Sequence, residues 1–95
     1  MNKYELAVIL QPDLDEENLK TEFEKVTALV ARFGGVVDKV DDWGKRRLAY
    51  EIKKFNEGFY YFITFSAEPT APREIEDRIR IMENVIRYLI IRTDD

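Results

Sequence analysis

Between residues 19 and 33 the apolar side chains Leu19, Phe23, Val26, Val30 and Phe33 recur at steps of four, three, four and three. A helix of about 3.6 residues per turn gathers such a set onto one face, so this stretch must lay its stripe against another layer. The preceding segment shows what that layer is. Residues 3–10 carry Tyr4, Leu6, Val8 and Leu10 on one parity, with Ala7 and Ile9 on the other. A strand apolar on both sides belongs in the middle of a sheet. Gln11-Pro12 stops it. Asp13 or Asp15 can cap the helix, and the acids of its first turn suit the positive end of the helix dipole. Gly34-Gly35 ends it in a left-handed cap.

Residues 36–54 show no helical stripe. Leu48, Tyr50 and Ile52 alternate with Ala49, Glu51 and Lys53, which reads as a strand. Asp41, Asp42 and Gly44 suggest a bend or bulge within one long strand. Phe55-Asn56-Glu57-Gly58 supplies hairpin turn residues, and Phe59 to Ser66 returns. Thr70 with Pro72 opens a second helix whose buried stripe is Ile75, Ile79 and Met82. Asn84 can close it in a left-handed conformation, and Val85 to Thr93 forms the last strand. The order is βαββαβ over a single domain spanning residues 1–95. Right-handed crossovers and one antiparallel hairpin leave few arrangements. The commonest is an α+β, ferredoxin-like sandwich: a four-stranded antiparallel sheet in the order 4-1-3-2 with two helices on one face. The other face is left open, and function is expected there.

The chemistry available is narrow. The chain has no His and no Cys, which removes the commonest general base, the commonest metal ligand, thiolate zinc sites and disulfides. The acids of residues 13–24 sit at a helix start without apolar surroundings to raise a pKa. Asp41-Asp42 point to opposite sides of a strand and make no cation cage. The loop after the first strand, Gln11-Pro12-Asp13-Leu14-Asp15, offers no glycine and repels a phosphate. No catalytic residue, metal, cofactor or small-molecule substrate is expected, and an enzyme is the weakest class. The start of the chain is no secretory signal, because Glu5 interrupts it, and no apolar run approaches the ~18 residues of a membrane span. A soluble, cytoplasmic domain is expected.

The net charge of −4 hides an asymmetry. Residues 13–24 hold six acids against Lys20, whereas residues 44–54 hold Lys45, Arg46, Arg47, Lys53 and Lys54 against Glu51 alone. Arg78, Arg80, Arg87 and Arg92 stand against Glu83 in residues 78–92. A phosphate chain senses such local fields rather than the average. The aromatic run Asn56 to Phe65 invites a second idea, base stacking of the kind seen on RNA-recognition-motif strands. It fits poorly. Glu57 stands where that motif needs a base, and Tyr60 where it needs a small residue. Strand alternation also puts Phe59, Tyr61 and Phe65 on one side and Tyr60 and Phe62 on the other, so at least two rings are plain core.

The segment Trp43-Gly44-Lys45-Arg46-Arg47-Leu48-Ala49-Tyr50-Glu51-Ile52-Lys53-Lys54 resembles the signature of the bacterial ribosomal small-subunit protein six family. Gly44, Arg46, Arg47, Leu48, Ala49 and Tyr50 meet its pattern. The likeness extends to Tyr4-Glu5, Pro12, Gly58, Tyr60 and residues 84–92. This resemblance implies the same sandwich fold and a place in the central platform of the small ribosomal subunit. It implies binding to small-subunit ribosomal RNA as a heterodimer with ribosomal small-subunit protein eighteen, with assembly rather than turnover as the mechanism.

In that role Lys45, Arg46, Arg47, Lys53, Lys54, Arg80 and Arg87 are the expected phosphate contacts, fixing register rather than reading bases. Ile86 stands where another base beside Arg87 is expected. Tyr50, Tyr61 and Tyr88 are the expected protein-partner interface, on the open face or a strand edge. The alternative is a homo-oligomeric ligand-sensing module of the same fold, pairing through its strand edges.

Overall fold

Strand parity decides which side chains meet the helices. The computed structural model describes residues 1–93. It contains β1 (Asn2–Leu10), α1 (Glu16–Arg32), β2 (Val36–Ile52), β3 (Phe55–Ala67), α2 (Ala71–Ile79) and β4 (Val85–Arg92). The strands form one sheet in the order β2-β3-β1-β4, antiparallel throughout. This is the expected 4-1-3-2 order read from the opposite edge. On β1, Tyr4, Leu6, Val8 and Leu10 point to the helices, with Tyr61, Ile63 and Phe65 beside them on β3. Val26 and Val30 of α1 and Ile75 and Ile79 of α2 close over that layer, all fully buried. Leu19, Phe23 and Phe33 complete the α1 stripe as half-buried partners. Burying side chains of this size contributes about 1.5–3 kcal/mol each.

Local chemistry sets the ends of α1. The carboxylate of Asp15 accepts a hydrogen bond from the Asn18 N–H at 2.8 Å, so Asp15 rather than Asp13 is the cap. Such a cap is worth about 1 kcal/mol. At the other end Gly34 takes a left-handed φ of +80°.

Two turns differ from the expectation. The hairpin turns at Lys53-Lys54, whose φ values are 49° and 70°, and Ile52 pairs directly with Phe55. A two-residue loop with both residues left-handed matches the right-handed twist of the strands. Residues 55–58, expected as the turn, are the first residues of β3. Gly58 serves another purpose there: a Cβ would lie 2.4 Å from Ile9 Cγ2, so the strand passes too close to β1 for any side chain. Asn84, expected as a left-handed helix cap, is not among the residues with positive φ. α2 ends at Ile79, and Asn84 instead holds the end of β1: its carbonyl accepts from the Gln11 N–H at 2.9 Å, and its side-chain oxygen from the Gln11 amide.

The face away from the helices is not bare throughout. Near the hairpin, Ile9, Leu48 and Ile86 form a second buried cluster, flanked by Ile52, Phe55 and Tyr60. The outer part of the hairpin is thereby packed onto the ends of β1 and β4.

Candidate nucleic-acid interface

β2 is longer than the sheet it edges, and its irregularities aim its side chains. β1 pairs with β3 only as far as Phe59. Arg46 and Arg47, opposite Gly58 and Glu57, are therefore the first rungs beyond the end of β1. Just before them the register shifts between Asp42 and Gly44. Gly44 has φ +70°, and its N–H donates to the Asp42 carboxylate at 2.9 Å. This is the bulge expected around Asp41, Asp42 and Gly44, and it needs a residue that tolerates the left-handed region.

The bulge turns Trp43 onto the open face. Its indole lies 4.7 Å from the Phe62 ring, tilted by 55°. The Arg46 guanidinium sits 5.7 Å from the indole, and its Nε donates to the Trp43 carbonyl at 3.0 Å. An exposed cation–ring contact contributes about 0.5–1 kcal/mol, enough to bias where Arg46 rests. Lys45 goes the other way: its Nζ lies 5.2 Å over Phe59, a ring packed against the helix-side core. Lys53 and Lys54 occupy the hairpin tip, exposed.

Across the open face, Arg87 of β4 donates from Nη1 to the Tyr50 hydroxyl at 2.7 Å. The hairpin, its tip and the start of β4 thus share one end of the molecule. Among the described residues, Lys45, Arg46, Arg47, Lys53, Lys54 and Arg87 take part in no ion pair; the pairs formed are Lys25–Glu22, Lys39–Asp41 and Arg80–Asp77. Glu57 is the register partner of Arg47 without bridging to it. Arg80 stands apart from the others. It follows α2 in the helix layer and is engaged by Asp77.

The three tyrosines separate. Tyr50 is exposed beside the hairpin cations. Tyr61 and Tyr88 do not reach the open face, because both are register partners of Val8, one on β3 and one on β4, and Val8 faces the helices. Tyr61 is only 6% exposed, with its ring 4.5 Å from Phe23. Burial of the phenol, with Asp42 nearby, raises its pKa above the ordinary 10.0. Tyr88 is half-buried against the same core.

The open face carries a different apolar set: Trp43, Leu89 and Ile91, each about half exposed, with Phe62 between strands. Parity contained this signal. Ala7 pairs with Phe62 on one side and Leu89 on the other, and Ala7 lies opposite in sense to Leu6 and Val8. The aromatic run offers no ladder of free rings. Phe59, Tyr61 and Phe65 join the helix-side core, Tyr60 packs in the second cluster, and Phe62 meets Trp43. What remains is a cationic hairpin beside an exposed apolar strip. The first suits a phosphate chain and the second a protein surface.

The family described as "Ribosomal protein S6" matches residues 3–92 of the chain. The small ribosomal subunit protein bS6 of Clostridium kluyveri is 50% identical over 94 residues, covering 99% of each chain. That of Heliobacterium modesticaldum is 45% identical over 95 residues, covering 100% of this chain and 99% of its own. The crystal structure of 30S ribosomal protein S6 from Thermotoga maritima superposes with a TM-score of 0.92 at 35% identity, covering 97% of this chain and 87% of that one.

Proposed function

The chain belongs to the ribosomal protein S6 family, a structural protein of the small ribosomal subunit and not an enzyme, and from that premise we propose that it binds small-subunit ribosomal RNA through its long hairpin, together with ribosomal small-subunit protein eighteen. It works in the cytoplasm, on the ribosome. Arg46, Arg47, Lys53 and Lys54 make the phosphate contacts, and Lys45, on the same side of β2 as Arg47 and opposite to Arg46, adds to their field. Arg80 contributes least, because Asp77 already engages it.

One observation carries this reading. Five cations lie on a hairpin that runs past the end of β1, and among the described residues none is neutralised by an acid. On a chain of net charge −4, such a concentration creates a local positive field where the average would repel RNA. The apolar strip of Trp43, Phe62, Leu89 and Ile91 beside it is where the partner protein docks, with Tyr50 at its border. A basic partner also offsets the acidic remainder of the chain.

The test is binding of small-subunit ribosomal RNA by the chain with and without protein eighteen. Saturable, salt-sensitive binding that requires the partner supports the proposal. A stable homo-oligomer indifferent to RNA would contradict it and favour a ligand-sensing module.

A further inference from the structure

We propose that Arg87 is a positioning residue: through Tyr50 it latches the cationic hairpin in its binding geometry, and it is not itself a phosphate contact. The inference rests on the RNA-binding reading above.

The hairpin needs such a latch. Its register is broken between Arg47 and Ile52, so regular pairing does not fix the stretch that leads to the tip. Side chains hold it instead. Leu48 is buried against Ile9 and Ile86, with Ile52 alongside. Between them, Tyr50 projects from that irregular stretch and meets Arg87 at 2.7 Å, across a sequence separation of 37 residues. Arg87 is well placed to anchor it. Its neighbour Ile86 is 4% exposed in the second cluster, and Arg87 itself is registered against Ile9. A bond from a charged guanidinium is stronger than one between neutral groups and is directional. Tyr50 lies three residues before Lys53, so fixing its hydroxyl limits how far Lys53, Lys54 and Arg46 can wander. Cations already held in place lose less freedom when RNA arrives.

A guanidinium has donors to spare, so Arg87 could also touch a phosphate. The salt dependence of binding separates the two roles. A lost phosphate contact makes log K fall less steeply with log salt, by about one unit of slope, whereas a lost latch lowers affinity at unchanged slope. The experiment uses the full chain with protein eighteen and a small-subunit ribosomal RNA fragment, comparing wild type, Tyr50→Phe, Arg87→Gln and the double variant. Both residues are exposed, so these variants keep the fold. Each single variant should weaken RNA binding roughly three- to tenfold at wild-type slope. The double should be no weaker than either single, and amide exchange over residues 46–54 should quicken in all three.

A shallower slope for Arg87→Gln with a silent Tyr50→Phe would overturn the latch and make Arg87 a phosphate contact. Unchanged amide exchange in Tyr50→Phe would overturn it as well. Failure of the wild-type pair to bind RNA would defeat the RNA reading itself. Quickened exchange in Tyr50→Phe would then still identify the latch, with some other ligand to position for.

Discussion

Asp42 and Tyr61 are register partners across the β2–β3 pair, and the phenol, buried on the helix side with that carboxylate nearby, keeps its proton above the ordinary value of 10.0. In the unfolded chain the same phenol ionises near 10. As pH rises past that value the unfolded state binds fewer protons than the folded one, so stability falls with pH. The contribution is complete below the unfolded value and is lost as pH climbs through the raised one. Tyr61→Phe should flatten the alkaline limb of stability against pH, as read by urea unfolding between about pH 9 and 11. An alkaline limb as steep as wild type would remove Tyr61 as its source.

Gly58 and Gly44 should respond differently to alanine. At Gly58 the new methyl would meet Ile9 Cγ2 at 2.4 Å and the Leu10 carbonyl at 3.0 Å. Backbone and core must shift, at a cost of about 1–3 kcal/mol. At Gly44 nothing lies within 4 Å of the added Cβ. The cost there is the left-handed backbone alone, about 1 kcal/mol. Thermal unfolding of the two variants should rank Gly58→Ala as the more damaged.

The hairpin tip sets stability against function. Lys53 and Lys54 both hold a left-handed backbone, which costs L-residues about 1–2 kcal/mol apiece. Lys53→Asn with Lys54→Gly supplies residues that favour this turn and should raise stability by about 1 kcal/mol. It also removes two cations. The same variant should therefore unfold at higher urea and bind ribosomal RNA less tightly, which urea titration and a filter-binding assay read separately.

Leu89 is 53% exposed on the open face. Leu89→Glu should leave unfolding within about 0.5 kcal/mol of wild type while weakening association with protein eighteen at least tenfold. Calorimetric titration of the two proteins, without RNA, checks this. Wild-type association would exclude the strip as the docking surface.

Most of the architecture was legible because the chain's local and global signals agree. The stripe from Leu19 to Phe33 and the two-sided apolarity of residues 3–10 correctly anticipate α1 and a central β1. Asp42 and Gly44 marked the bulge, since an acid before a left-handed glycine closes it with its own side chain. The turn was misread because Asn56, Glu57 and Gly58 have turn chemistry, while the real turn uses two lysines that strain into it. Long-range constraint overrides local preference there: Gly58 is needed where β3 crosses Ile9. The buried place of Tyr61 was hidden for want of register, as was the helix-side direction of Tyr88 on the edge strand β4. Their side is decided by pairing with Val8, and one sequence does not say which residues pair. The Tyr50–Arg87 bond was out of reach for the same reason.

The salt dependence of ribosomal RNA binding, measured for the wild-type pair and for Arg46→Ala with Arg47→Ala, tests the cationic hairpin most directly. Both side chains are exposed, so the double variant should fold with stability within about 1 kcal/mol of wild type. If these arginines grip phosphates, the slope of log K against log salt should become shallower by about two units, with weaker binding at every low-salt point. Equal slope and equal affinity in the variant would contradict the account.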